Sequence, residues 1–286
     1  MANEIKNILV PVDFSKDNSN FLNVAAAIAR RHSAKIHLLN VVKSNVLSSG
    51  SALAGKFYYH GNSLIESSQE QLEKEKERFR QQKRLQIETQ SCVGTVSTCV
   101  SDYAAENKID LVVLGVDYPK KRPGFISSNT YEIISNSDIP VMTIPFGFTK
   151  SKFTRLLYPV RDTEGVMAKL ETVLPIAQKN NAEVRIVGLA EGKMKNSAVT
   201  VNNALKILKV KLKKQNVKFQ DEEMVNTKNP EQEILQACDQ CGSDLVAVNV
   251  SEDQLATKLF TNNFTENMIY KSKIPVLYYK KEHAAV

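Results

Sequence analysis

The strongest constraint on this chain is that its sequence runs through one plan twice. KNILVPVDFS near the start resembles TRLLYPVRDT at Thr154–Thr163, with Pro159 lying 148 residues after Pro11. IDLVVLGV at Ile109–Val116 resembles SDLVAVNV at Ser243–Val250, where Asp244 matches Asp110. SNSDIPVMTI at Ser135–Ile144 resembles YKSKIPVLYY at Tyr270–Tyr279, where Pro275 matches Pro140. Three matched segments in the same order imply an internal duplication. A chain of 286 residues is about twice what one core comfortably fills, so two domains follow. They are assigned to residues 1–147 and 152–282, with the connection at Phe146–Lys152. The offset falls from 148 to 134, so the first copy carries about 14 extra residues, placed in the Gly- and Ser-containing run Val46–Asn62 and read as an exposed loop.

Within each copy, short Val- and Ile-rich runs alternate with helical patterns. Ile8–Val12, Lys35–Val41, Ile87–Val93, Leu111–Val116 and Val141–Ile144 suit strands buried on both faces of a parallel sheet. The second copy repeats them with Leu156–Val160, Val184–Leu189, Val217–Glu222, Leu245–Val250 and Val276–Tyr279. Between them, Leu22, Ala25, Ala26 and Ala29 share one helix face, Ile65, Leu72 and Phe79 recur every seven residues, and Val201, Leu205, Leu208 and Leu212 form a stripe. Pro230 suits a helix first turn and Gly242 the position just past its end. This alternation predicts βαβ units, hence two tandem open α/β domains with helices on both faces of a parallel sheet.

Several chemistries are disfavoured. Hydrophobic residues at 42% and charged residues at 24% exclude a collagen-like or wholly disordered chain, and no apolar run reaches the length of a membrane span. The N-terminus lacks the pattern of an export signal, so a cytoplasmic location is expected. Four Cys in this length do not make a disulfide framework, and a reducing compartment fits them. Net charge is +7, but the densest basic stretch, Lys206, Lys209, Lys211, Lys213 and Lys214, has no interleaved aromatics and reads as a solvated helix face; no nucleic-acid or membrane partner is expected. Cys238 and Cys241 form a CxxC, but Cys238 shares a helix face with Ile234 and Leu235, which favours a structural thiol; Cys92 and Cys99 do not form a second one. His32, His37, His60 and His283 are scattered, so no metal site is expected, and no catalytic motif is present. Phe57, Tyr58, Tyr59 and His60 lie inside the extra run, either as local or inter-copy packing or as a partner-binding patch.

In such a sheet, ligands bind beyond the carboxyl ends of the strands where strand order reverses. That places the candidate loops after the first and fourth strands, at Asp13–Asn18 and Gly115–Ser128. Asp13 could accept from a ribose hydroxyl or an amino group, or equally cap the next helix, a role that Ser15 or Asp17 could also fill. The run ILVPVDFS, the strand HLLNVV, the run DLVVLG and the segment SNTYEIISNSDIPVMTI resemble the universal stress protein family, and the duplicated layout resembles its two-domain members. The resemblance covers nearly the whole chain. It implies two Rossmann-like (HUP-type) domains, each a five-stranded parallel sheet flanked by helices.

That family has a branch that binds ATP and a branch that does not. The binding branch carries a loop of Gly, two residues, Gly, nine residues, then Gly with Ser or Thr, because glycines admit the phosphates to the backbone amides. The first copy keeps Gly115, has Tyr118 at the second glycine, and places Ser127 and Ser128 at the last glycine and the hydroxyl; Gly124 falls three residues early. If ATP binds, the matching positions are Asp13, Val41 through its backbone, Gly115, Ser127 and Ser128, with Lys120, Lys121 and Arg122 near phosphate or simply in solvent. In the second copy Asn249 replaces Gly115, Asp253, Asn262 and Asn263 occupy the later region, and Arg161 takes the Asp13 position, free to attract an anion or to pair with Asp162 or Glu164. The resemblance therefore implies a non-enzymatic stress-response or regulatory protein acting by protein association, with no cofactor expected. The alternative is an ATP-binding sensor or slow ATPase using the first copy. The final strands, Val141–Ile144 and Val276–Tyr279, are candidates for pairing the copies within the chain, although an ordinary buried strand looks the same.

Overall fold

The structure, a computed structural model, describes residues 4–14, 19–43, 54–83, 85–117, 128–161, 165–191, 195–221, 224–250 and 264–280. The first unit runs β1 (Asn7–Val12), α1 (Ser19–His32), β2 (Lys35–Lys43), α2 (Ala54–Lys83), β3 (Ile87–Gly94), α3 (Val96–Glu106), β4 (Leu111–Val116), α4 (Ser128–Asn136) and β5 (Val141–Pro145). The second runs β6 (Arg155–Arg161), α5 (Val166–Asn180), β7 (Glu183–Glu191), α6 (Lys195–Lys214), β8 (Phe219–Asp221), β9 (Val225–Thr227), α7 (Pro230–Cys241), β10 (Leu245–Val250), α8 (Phe264–Lys271) and β11 (Val276–Lys280).

The strands form one sheet in the order β3-β2-β1-β4-β5-β11-β10-β6-β7-β8, with β9 also on β7. Every pairing inside a unit is parallel. The junction is antiparallel: Val141, Met142 and Thr143 of β5 lie opposite Tyr278, Leu277 and Val276 of β11. The expected α/β, Rossmann-like architecture is therefore present.

Two expectations need correction. The third strand of the second copy, expected at Val217–Glu222, is the short β8, and a further strand, β9, also pairs with β7. The run Val46–Asn62, expected as a loop, is helical from Ala54 onward, so the backbone of Phe57, Tyr58, Tyr59 and His60 belongs to α2; positions 46–53 lie outside the described residues. Gly55 and Gly61 each cost only about 1 kcal/mol in a helix, and the Glu-, Gln- and Lys-rich stretch behind them propagates it.

The core follows from strand alternation. Ile8, Val10 and Val12 of β1 face α1 and α2, in a cluster that continues through Leu156, Tyr158 and Val160 of β6 to α5 and α6. Leu9 faces the opposite cluster, which runs from Cys99 and Val100 of α3 to Ile234 of α7 and Met268 of α8. Each face of the sheet thus carries a core that spans both units. The repeated aspartates explain themselves here. Asp110 accepts from the backbone N–H groups of Lys6 and Asn7 at 2.7 and 2.8 Å, and Asp244 accepts from those of Thr154 and Arg155 at 2.9 and 3.0 Å. Both satisfy donors at the start of the unit's first strand, far from the carboxyl rim.

Candidate functional site

At each switch point the central strands pair only briefly and then splay. β1 meets β4 at Ile8–Leu111 and Leu9–Val112, and β6 meets β10 at Leu156–Leu245 and Leu157–Val246. In an open parallel sheet the carboxyl rim of such a switch point is where ligands bind, which makes these two rims the candidate sites. In the first, Asp13 follows β1 and is exposed, Val41 is half-buried near the end of β2, and Gly115 sits in β4; Ser128 opens α4. The fold thus brings Asp13, Val41 and Gly115 to the ends of three neighbouring strands. Ser127 lies outside the described residues, as do Tyr118, Lys120, Lys121, Arg122, Gly124, Ser15 and Asp17.

The surroundings of Gly115 decide what that glycine does. A Cβ there would lie 2.5 Å from Phe146 Cε1 and 2.6 Å from Phe21 Cδ1. The two rings stack with centroids 5.9 Å apart, and Asn20 Nδ2 donates to the Phe146 carbonyl at 2.9 Å. The room that glycine leaves is filled by aromatic carbon. Sequence reasoning missed Phe21 and Phe146, although a signal existed: the 148-residue offset pairs Phe21 with Lys169, so the second copy lacks both the glycine and the ring.

The matching place in the second unit holds two buried basic side chains. Arg161, at the Asp13 position, is buried with its guanidinium 4.2 Å from the Phe264 ring centre, a cation–π arrangement. Asp162 and Glu164, and the later positions Asp253, Asn262 and Asn263, lie outside the described residues. Lys169 is buried; its Nζ donates to the Pro159 and Ala247 carbonyls at 2.8 and 3.0 Å and sits 4.1 Å from the Tyr158 ring centre. Those carbonyls belong to the stretch where β6 and β10 have parted, so the ammonium satisfies acceptors that sheet pairing leaves behind. Burial, then repulsion from Arg161, holds the Lys169 pKa well below its ordinary value.

Other sequence candidates resolve into structure. His37 is buried, with Nε2 3.2 Å from Asn7 Oδ1 and Nδ1 2.9 Å from the Tyr103 hydroxyl. Since Asn7 Oδ1 only accepts, Nε2–H donates to it and Nδ1 accepts from Tyr103. Burial lowers the His37 pKa, opposed by Glu88. In the CxxC, burial, reinforced by Asp239 and Cys241, pushes the Cys238 thiol up to about 12, far from thiolate chemistry. Cys92 and Cys99, which form no CxxC, are nevertheless joined as a disulfide with their Cα atoms 6.2 Å apart, a pairing that the expectation of a reducing compartment did not include. The chain turns back at Gly94 and Thr95 between β3 and α3, and this brings Cys99 beside Cys92. Among the described residues no cluster of three or more His, Cys, Asp or Glu could hold a metal.

The arrangement defines a class: two Rossmann-like units in one sheet, with Phe21 and Phe146 packed against Gly115 in the first and Arg161 and Lys169 at the matching place in the second. Residues 4–145 match the universal stress protein family, so the first unit belongs to that family, and the two-unit layout fits a tandem member. A universal stress protein from Archaeoglobus fulgidus shares the fold at TM-score 0.76 and 14% identity, covering 98% of this chain and 100% of its own. A putative universal stress protein from Pseudomonas aeruginosa does so at TM-score 0.62 and 14% identity, covering 96% and 93%. No curated protein matches the chain.

Proposed function

We propose that the chain is a tandem universal stress protein, with repeats at 1–147 and 152–282, whose stress-response or regulatory role is exercised through protein association in the cytoplasm, nucleotide binding being lost or weakened. The observation that carries this reading is the pair of rings, Phe21 and Phe146, packed where the Gly115 backbone would have to meet a ligand. Asn249 and Lys169 at the matching place in the second unit support the same reading there. The β5–β11 ladder supports pairing of the repeats within one chain, leaving the outer helices for a partner protein. Among the described residues no helix is long and apolar enough to cross a membrane. A nucleic-acid or membrane partner forms no part of the proposal.

The second reading, an ATP sensor or slow ATPase, draws on Asp13, Val41 and Gly115 sharing one rim. Mass spectrometry of the purified, denatured protein separates the two. The expected result is no stoichiometric nucleotide; about one ATP per chain, the occupancy of a tight single site, rejects the first reading in favour of the second.

A further inference from the structure

The outer face of α6 is unlike an ordinary solvated helix. Its inner stripe, Val201, Leu208 and Leu212, is fully buried against the sheet, so the helix cannot roll. Val199, Ile207 and Val210 point the other way and are 58%, 52% and 53% exposed. They span about 16 Å of helix at 1.5 Å per residue. Met224, 41% exposed, lies on the sheet side beside Val201 and Leu205, over Gly188, and is not part of that face. Around these side chains stand Lys206, Lys209, Lys211, Lys213 and Lys214; among the described residues only Lys209 has a carboxylate partner, Asp221.

We propose that this face docks an amphipathic helix of a partner protein whose apolar seam is flanked by Asp and Glu, an inference that rests on the association reading above. Thr200, Asn203, Ile207, Val210 and Lys214 follow one another on the exposed face at the three- and four-residue spacing of helix-on-helix packing, with Ile207 and Val210 as its apolar centre between polar ends. The lysines on either side are the complement of acidic flanking positions. An anionic bilayer fits less well: the seam is narrow, and it has none of the Trp, Phe or Leu side chains with which interfacial helices bury themselves in lipid.

The test uses the full chain and a labelled peptide of about three heptads, with Leu in the seam and Glu flanking it, followed by fluorescence anisotropy. Expected is saturable binding that weakens at least about tenfold in the Ile207→Ser/Val210→Ser double variant, and about tenfold again when salt rises from roughly 50 to roughly 300 mM. Because both residues are exposed, the variant's far-UV CD spectrum and melting temperature should match those of the parent. Equal binding by a scrambled peptide of the same charge, no effect of the double variant, or binding only to phosphatidylserine vesicles would each overturn the docking site. Nucleotide content is measured on the same preparation. A nucleotide-free chain that ignores the peptide therefore sinks this inference alone, whereas bound ATP sinks the reading beneath it.

Discussion

Gly115 shows how a single position can serve packing where a motif suggests ligand chemistry. Its hydrogen faces two rings, so any Cβ forces Phe21 or Phe146 to move. Gly115→Ala is expected to destabilise the chain by about 1–3 kcal/mol in urea unfolding, with part of the loss recovered when Phe21→Leu is added. Unchanged stability of the single variant would show that the rings give way freely. His32 makes a second residue-scale prediction. Its Nε2 is buried with no hydrogen-bond partner among the described residues, and burial, followed by the charges of Lys179 and Arg31, lowers its pKa from 6.5 to about 4. Above pH 6.5 neither the folded nor the unfolded state is protonated there, and nothing is lost. As pH falls from 6.5 toward about 4, only the unfolded chain takes the proton, so stability drains across that window. Denaturation midpoints should fall between roughly pH 7 and roughly pH 5, and His32→Gln should flatten the slope.

At the scale of elements, most strands and helices were legible because their cause is local. Period-two and period-3.6 patterns, Pro230 at a first turn and Gly242 in the left-handed conformation past the end of α7 are properties of neighbouring residues. The exceptions had other causes. Helix α2 begins earlier than its Gly content implied, since propagation from a strong helical stretch outweighs two glycines. β8 is short because the pairing along β7 is divided: β8 covers Val184–Ile186 and β9 covers Leu189–Glu191. The β3–α3 turn brings Cys92 to Cys99, a closure of seven residues that stabilises by about 2–3 kcal/mol in the chain-entropy account. Alkylation in denaturant should block two thiols, Cys238 and Cys241, before reduction and all four after it. Four reactive thiols without reductant would contradict the pairing.

For the whole molecule, the continuous sheet is the governing fact. Both hydrophobic clusters cross from one unit to the other, and β5 has β4 on one side and β11 on the other, so neither unit can unfold without exposing the core of its neighbour. Calorimetry should therefore show one cooperative transition, with van't Hoff and calorimetric enthalpies in agreement. Two resolved transitions would mean that the junction contributes little. The aromatic pair Phe21 and Phe146 takes part in this coupling: Phe146 lies just past β5 at the unit junction, and Phe148 stacks on Phe153 at 6.5 Å, so the connecting segment is packed rather than free.

The duplication, the alternation of strands and helices apart from β9, and the rim that carries Asp13, Val41 and Gly115 are legible in the chain, because periodicity and repeat register are written between near neighbours or between matched copies. Packing in three dimensions settles that Gly115 accommodates two rings, that Lys169 satisfies the carbonyls of a splayed strand pair, that Cys92 meets Cys99, and that β5 runs antiparallel to β11. Each of those depends on which side chain or strand occupies a given space, and that is settled when the two copies pack together.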